Sequence, residues 1–167
     1  VFKKEFLESF GKMDPGILVL QETKLQEDQR TKAMIDIEGY ESFWAYSTIK
    51  KGYSGVAAYS RFKPIKVTTY FSRPEFDGEG RVIQIDYEKF TLFNIYFPNG
   101  QMNDGRLKYK LDFYDWFLSY AQGLRDEGKS LIITGDFNTA HNEIDLKNPG
   151  PNSNRSGFLR IERDVLD

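Results

Sequence analysis

Residues 17–23 read Ile-Leu-Val-Leu-Gln-Glu-Thr, an apolar run that ends in three polar residues. The run follows the turn residues Asp14-Pro15-Gly16 and lacks alternation, which predicts a strand buried on both faces. A second run of the same layout, residues 131–138, reads Leu-Ile-Ile-Thr-Gly-Asp-Phe-Asn. Each run places a carboxylate, Glu22 or Asp136, directly after a predicted strand. Layered α/β proteins carry their sites at such strand ends, so both acids are candidate functional residues.

Between and around these runs the pattern predicts further strands and three helices. Strands are expected where β-branched and aromatic residues lie between turn signals, at residues 41–47, 54–60, 65–71, 81–87 and 90–97, and their short connections favour antiparallel hairpins. Helical spacing predicts a helix that includes Phe2, Phe6 and Phe10, and a longer one over residues 105–128. Residues 138–157 are expected to form a long functional loop, with another helix beginning at 161–166. The order of elements indicates an α/β or α+β protein in which helices cover mixed sheets.

Composition excludes several classes of protein. The chain has 167 residues, of which 40% are hydrophobic and 16% aromatic, so it is a folded unit or a piece of one rather than a disordered chain. The net charge of -2 is not that of a basic, sequence-reading DNA binder, although it suits an enzyme that binds phosphodiesters through a cation. Cysteine is absent, which removes thiolate zinc sites and cysteine nucleophiles. Without a membrane-length apolar run, signal peptide or transit pattern, a soluble intracellular protein is expected.

Each candidate residue also has a purely structural interpretation. Glu22, taken alone, could be a solvated loop acid instead of a cation ligand. Asp136 and Asn138 lie two apart, which suits a general base and its orienting partner, but an Asx turn at the strand end has the same pattern. Tyr96 and Asn99, at the end of a third strand, could donate hydrogen bonds to a phosphate oxygen or merely pack and turn the chain.

Six motifs stand in an order that is typical of one family. They are Leu18–Lys24, Gly52–Ala57, Tyr96–Asn99, Gly135–Asn138, Glu143–Pro149 and Ser156–Leu159. From residue 17 to its last residue the chain resembles the exonuclease III and AP endonuclease branch of the endonuclease/exonuclease/phosphatase superfamily. The run Glu-Ile-Asp-Leu-Lys-Asn-Pro at 143–149, followed by Gly157-Phe158, is characteristic of this branch.

This resemblance implies a fold, a reaction and a set of site residues. The fold would be a four-layered α/β sandwich of the DNase I-like type. The reaction would be Mg²⁺-dependent hydrolysis of the phosphodiester 5′ to an abasic site in duplex DNA, with 3′-5′ trimming of ends and with Mn²⁺ able to replace Mg²⁺. By motif, Glu22 resembles the metal ligand, Asp136 the acid that activates water, Asn138 its hydrogen-bonding partner and Tyr96 the contact to the scissile phosphate. Asn99, Arg81, Asn148 and Asn152 resemble DNA-contacting positions more loosely.

The resemblance also sets expectations about the extent of the chain. The family begins with a strand that supplies a catalytic asparagine and ends with a further Asp and a Ser-Asp-His stretch, so residues 1–167 are expected to be the central portion of a single domain incomplete at both termini. Two alternatives stay open: a phosphatase or phosphodiesterase of another superfamily branch, and an inert fragment that only binds DNA. A cytoplasmic or nuclear location, without membrane or obligate protein partner, is expected for a repair enzyme.

Overall fold

The computed structural model, which describes residues 4–167, contains seven strands in two sheets. The first sheet has the order β1-β3-β2, with β1 at Ile17–Gln21, β2 at Glu41–Ala45 and β3 at Val56–Ser60. The second has the order β4-β5-β6-β7, with β4 at Lys66–Thr68, β5 at Val82–Asp86, β6 at Thr91–Tyr96 and β7 at Leu131–Asp136. All seven strands coincide with strands predicted from the sequence, although most are one to four residues shorter or longer at their ends.

Most neighbouring strands are antiparallel, as the short connections predict. Strand β3 pairs antiparallel with both β1 and β2, and β5 pairs antiparallel with both β4 and β6. Strands β6 and β7 run in the same direction, since Thr91 N–H bonds to the carbonyl of Ser130 and Phe97 N–H to that of Asp136. The parallel step follows the long helical connection between these two strands, which antiparallel neighbours do not need.

The described residues form six helices of unequal length, and not all of them were predicted from the sequence. They are α1 (Lys4–Met13), α2 (Lys32–Ile35), α3 (Pro74–Asp77), α4 (Asp104–Asp126), α5 (Pro149–Asn152) and α6 (Arg160–Arg163). Helix α4 confirms the predicted long helix; the side chain of Asn103 caps it by accepting the N–H of Arg106. The predicted loop contains a 3₁₀ turn and α5, and α6 is a single turn beginning one residue early. The predicted contribution of Phe2 lies outside the described residues.

The chain divides into two compact units. The first comprises the residues up to Tyr96 together with Ser130–Gly135, and the second comprises Phe97–Lys129 and Asp136–Asp167. In the first unit the two sheets pack face to face around a core that includes Val56, Ala58, Ile83 and Ile85. The buried amide of Asn94 on β6 joins the sheets by donating to the carbonyls of Leu20 and Ala57, at 3.1 and 2.8 Å.

The burial predicted for the two apolar runs is wrong for the described chain. Strand β1 is half-buried along its whole length, and Ile132 and Ile133 of β7 are 47% and 37% exposed. Strand β3 is buried at every position, because it lies in the middle of its sheet, whereas β1 and β7 are outermost in theirs. An apolar run signals a strand but carries no information about its position in the sheet.

The second unit is built around aromatic rings. Phe97 stacks on Tyr114 and Phe137 at centroid distances of 4.8 and 4.7 Å and meets Phe113 and Phe117 edge-on. These rings line one side of α4, as expected of a core face. Among the helices of residues 4–167, none combines the length and the apolar composition that a membrane span requires.

Candidate active-site residues in the two units

Glu22 and Tyr96, which are far apart in sequence, meet in the first unit. Glu22 follows the last residue of β1 with a left-handed φ of 51°, and its side chain is 42% exposed. Tyr96 is the last residue of β6, and its hydroxyl donates to Glu22 Oε1 at 2.8 Å. Lys24 Nζ lies 2.8 Å from Glu22 Oε2, so both carboxylate oxygens have a donor. Positive φ is uncommon for residues other than glycine, and at Glu22 it accompanies a partly exposed carboxylate.

The surroundings of Glu22 keep it ionised. The hydrogen bond from Lys24, followed by that from Tyr96, lowers the pKa of the Glu22 carboxyl below its usual value. Among residues 4–167, no three His, Cys, Asp or Glu side chains cluster as a ready-made metal site. A single ionised, solvent-facing carboxylate still fits a hard cation that keeps most of its water ligands, which is how Mg²⁺ is commonly held.

Arg81 lies beneath Tyr96 in the same unit. The residue is only 3% exposed, and its guanidinium donates to Glu79 Oε2 at 2.5 Å and to the hydroxyl of Tyr53 at 2.9 Å. It also donates to the carbonyl of Tyr96 at 2.9 Å and lies 4.7 Å from the centre of the Tyr96 ring. The DNA contact predicted for Arg81 stays a prediction; what the geometry shows is a buried arginine that holds the backbone and ring of Tyr96.

Asp136 and Asn138 form one compact turn in the second unit. Asp136 ends β7 with an exposed side chain, and its Oδ1 accepts the backbone N–H of Asn138 at 2.8 Å. Asn138 has a φ of 51° and donates its side-chain amide to the carbonyl of Phe97 at 2.8 Å. The Asx turn considered from the sequence is therefore present. It leaves Asp136 open to solvent and gives it a fixed direction, which a general base also requires.

The remaining predicted DNA contacts also lie in the second unit. The side-chain amide of Asn99 points at Asn138 Oδ1 from 3.5 Å, the limit of a hydrogen bond. Asn152 on α5 donates to the carbonyl of Asn148 at 2.7 Å. Asn152 also lines an open polar cleft of about 600 Å³ together with Gln101, Asn103, Asp104 and Arg155. The structure thus brings Asn99 beside Asn138 and places Asn148 beside Asn152.

Four contributors were not singled out by sequence reasoning. Lys24 is the last residue of the motif Leu18–Lys24, and its ion pair with Glu22 was not predicted. Lys110 and Tyr114 donate to the carbonyls of Asn138 and Phe137, and Glu162 pairs with Lys110. The one usable signal was Lys110 itself, a lysine between Leu107 and Leu111 on the apolar stripe of α4. A charged residue in a core-facing position needs a buried partner.

Comparison with known proteins identifies the class to which this fold and these residues belong. Residues 2–166 match the model of the Endonuclease/Exonuclease/phosphatase family, so the chain is a member of that family. The chain is 40% identical over 98% of its length to an exodeoxyribonuclease of Bacillus subtilis, covering 63% of that protein. It is 41% identical over 97% of its length to the DNA repair nuclease APEX1 of Danio rerio, covering 52% of that protein. The chain thus spans less than two thirds of the length of these relatives.

Solved structures agree on the fold. An AP endonuclease from Archaeoglobus fulgidus superimposes with a TM-score of 0.83 at 26% identity, over 95% of this chain and 61% of that one. A 3′-5′ exonuclease from Neisseria meningitidis gives a TM-score of 0.85 at 26% identity, over 97% of this chain and 62% of that one. The predicted resemblance is confirmed, and the chain has the predicted mixed α/β fold of the DNase I-like type.

Proposed function

We propose that this chain is the central part of a Mg²⁺-dependent DNA-repair nuclease that hydrolyses the phosphodiester 5′ to abasic sites in duplex DNA. The observation that carries the proposal is the 2.8 Å hydrogen bond from Tyr96 to Glu22, which unites two separate family motifs in the first unit. The names of the relatives support it: one at 37% identity, from Dictyostelium discoideum, is a DNA-(apurinic or apyrimidinic site) endonuclease. The chain covers 45% of that protein, so the activity is proposed for the whole protein.

Each residue has a role that its chemistry allows. Glu22, with both oxygens in fixed hydrogen bonds, would hold the cation, and the cation would supply positive charge to the phosphate and its leaving oxygen. Asp136 would accept the proton of the attacking water. Asn138 would orient Asp136 through its backbone N–H, or the phosphate through its side-chain amide. Tyr96, held by Arg81, would turn its hydroxyl hydrogen bond from Glu22 to the scissile phosphate when DNA binds. Asn99, Asn148 and Asn152 would donate hydrogen bonds to the DNA backbone.

The test is incision of a duplex oligonucleotide with one abasic-site analogue by the whole protein, in Mg²⁺ and in EDTA. We expect a nick 5′ to the lesion with Mg²⁺ alone, and a loss of more than about a hundredfold in kcat for Asp136→Asn, because the base can no longer accept a proton. The matched control is Asp115→Asn, the same change at an exposed position of α4, which should cut as the wild type does.

The possible results separate the candidate functions. An Asp136→Asn variant with full activity would remove Asp136 from the mechanism. Preference for inositol phosphates or other phosphomonoesters over the abasic duplex would point to a phosphatase branch of the family. Binding of DNA in EDTA without cleavage in Mg²⁺ would leave a binding module only.

One structure favours a second activity on 3′ ends. A protein from Neisseria described as a 3′ phosphatase, bound to product DNA hairpin, superimposes with a TM-score of 0.80 at 28% identity, over 97% of this chain and 62% of that one. We therefore include 3′-end cleavage in the proposal, with duplexes that carry a recessed 3′-phosphate or 3′-hydroxyl as the substrates in the same assay. A DNA substrate implies a location with the chromosome, in a bacterial cytoplasm or a nucleus.

A further inference from the structure

The second unit contains an ion pair that is removed completely from water. Lys110 of α4 and Glu162 of α6 are each 0% exposed, and Lys110 Nζ lies 2.7 Å from Glu162 Oε1. Burying two charges costs solvation free energy, and their mutual attraction often does not recover it. A gain in stability is therefore a weak explanation for such a pair. Burial also lowers the pKa of Lys110, and the bond to Glu162 opposes that effect. The groups that the pair holds in place offer a better explanation for its burial.

The contacts of the pair lead to Asn138 on one side and to a loop on the other. Lys110 Nζ donates to the backbone carbonyl of Asn138 at 2.7 Å. Glu162 accepts, besides Lys110, the hydroxyl of Ser156 at 2.7 Å and the backbone N–H groups of Gly157 and Leu159 at 2.7 and 3.1 Å. The carboxylate is therefore fully hydrogen-bonded and cannot easily release the lysine.

A second side chain on the same face of α4 acts in parallel. Tyr114, one turn after Lys110, donates its hydroxyl hydrogen to the carbonyl of Phe137 at 2.6 Å, and its oxygen accepts the hydroxyl of Thr139 at 3.2 Å. Burial raises the pKa of Tyr114 to about 12, so the hydroxyl stays protonated and a donor. The two carbonyls that follow Asp136 are thus both held by α4.

The segment after Asp136 that α4 holds has a disfavoured backbone conformation. Asn138 is left-handed, with a φ of 51°, a region in which residues other than glycine are disfavoured. Its side-chain amide must point at the carbonyl of Phe97 while its own N–H points at Asp136. The carbonyl follows ψ of Asn138 and the side chain follows φ, and both angles must stay in the left-handed region for the bonds to Asp136 and Phe97 to form together. The bond from Lys110 to the carbonyl therefore holds Asn138 in the conformation that these two bonds require.

We propose that Lys110 and Glu162 are positioning residues: the buried pair fixes the backbone carbonyl of Asn138 and so fixes the direction in which Asn138 and Asp136 present their side chains. This inference rests on the proposed function, in which those two side chains take part in the reaction. Lys110 and Glu162 themselves touch no reacting atom.

The first measurement is independent of activity. Hydrogen exchange of the Asn138 amide, which bonds to Asp136, should be faster by at least about tenfold in Lys110→Met, because a side chain of similar length without charge leaves the carbonyl unheld. The matched control is Lys108→Met, two residues away on the same helix, where the lysine pairs with Asp112 in an exposed bridge. Exchange at Asn138 in that control should equal the wild type. Unchanged exchange in Lys110→Met would overturn the inference.

The second measurement uses cleavage of the abasic duplex by the whole protein. We expect Lys110→Met to lower kcat by roughly ten- to a hundredfold with KM within about twofold, because misplacement affects the reacting groups and not DNA binding. In an Asn138→Ala background the same substitution should have little further effect on kcat, and Lys110→Arg should restore most of it. Additive effects of the two substitutions, or a kcat that follows only the fraction of folded protein, would show a merely structural role and overturn the inference.

A variant that does not fold and a wild-type protein that does not cleave lead to different conclusions. If Lys110→Met does not fold, Glu162→Gln replaces it, since it keeps the shape of the side chain while removing the charge; it should show the same faster exchange and lower kcat, and wild-type values would overturn the inference. A wild-type protein that does not cleave would contradict the proposed function, whereas the exchange measurement would still decide whether Lys110 holds Asn138.

Discussion

Lys24 controls the charge of the carboxylate that we propose as the cation ligand. Its ammonium group is the largest cause of the lowered pKa of Glu22, ahead of the Tyr96 hydroxyl. A carboxyl with a lowered pKa stays ionised to a lower pH in the folded protein than in the unfolded chain, so the stabilisation is present above the unfolded pKa and is lost as the pH falls through the folded one.

We expect Lys24→Met to raise the pKa of Glu22 and to move the acid limit of Mg²⁺ binding to higher pH. A carbon-detected NMR titration of the Glu22 carboxyl measures the pKa, and Mg²⁺-induced shifts measured from pH 3 to 7 follow the binding. The variant Lys12→Met is the control, because that lysine pairs with Glu8 in α1, away from Glu22. An unchanged Glu22 titration in Lys24→Met would show that Lys24 is not the cause.

At the scale of the element, the end of β7 depends on a glycine. Gly135 has a φ of 140°, and a Cβ at this position would collide with the carbonyl oxygen of Ile95 on β6. The strands approach this closely one residue before Asp136, so the glycine determines where the carboxylate leaves the sheet. Both the disfavoured φ and the collision act against any larger residue.

We expect Gly135→Ala to reduce the free energy of unfolding by on the order of 3 kcal/mol, because the collision is with backbone and cannot be relieved by a rotamer change. Urea denaturation followed by circular dichroism measures it. In contrast, Gly123→Ala in α4, where a Cβ would meet nothing within 4 Å, should stabilise by about 0.5–1 kcal/mol. Equal effects of the two substitutions would refute the role given to Gly135.

At the scale of the whole molecule, the balance of charged residues sets an expectation for the DNA binding that we propose. The 23 basic residues are outnumbered by 25 acidic ones, and several of the basic side chains are already paired, Arg81 and Lys110 in buried bridges. Release of counterions makes the affinity for DNA depend on salt in proportion to the number of phosphates contacted. Because acidic residues outnumber basic ones, we expect a weak salt dependence.

We expect the logarithm of the affinity for undamaged duplex to fall with the logarithm of the salt concentration with a slope no steeper than about -4, corresponding to roughly four or five phosphate contacts. Fluorescence anisotropy in EDTA, where cleavage is prevented, measures the slope between 50 and 200 mM salt. A slope near that of strongly basic DNA binders would show that an electrostatic surface, rather than a few hydrogen bonds, carries the binding.

Much of the candidate site could be predicted from the sequence because its residues stand at the ends of strands. Glu22, Tyr96 and Asp136 were expected at the carboxyl ends of β1, β6 and β7, and the structure places them there. The roles assigned to them, and to Asn99, Arg81, Asn148 and Asn152 as DNA contacts, stay predictions. Lys110 and Glu162 were missed because their partners are 28 and 52 residues distant, and residue type alone does not reveal such pairs.

The sequence by itself determined the strands, the long helix α4 and the family, because these depend on local periodicity and on motifs that are contiguous in the chain. Only the tertiary structure decided that β3 is the buried strand of its sheet, while β1 and β7 are outermost in theirs. It also decided that Arg81 is buried against Tyr96 and that Lys110 holds Asn138. Strand order and buried charge pairs are set by contacts between distant parts of the chain, which local patterns do not encode.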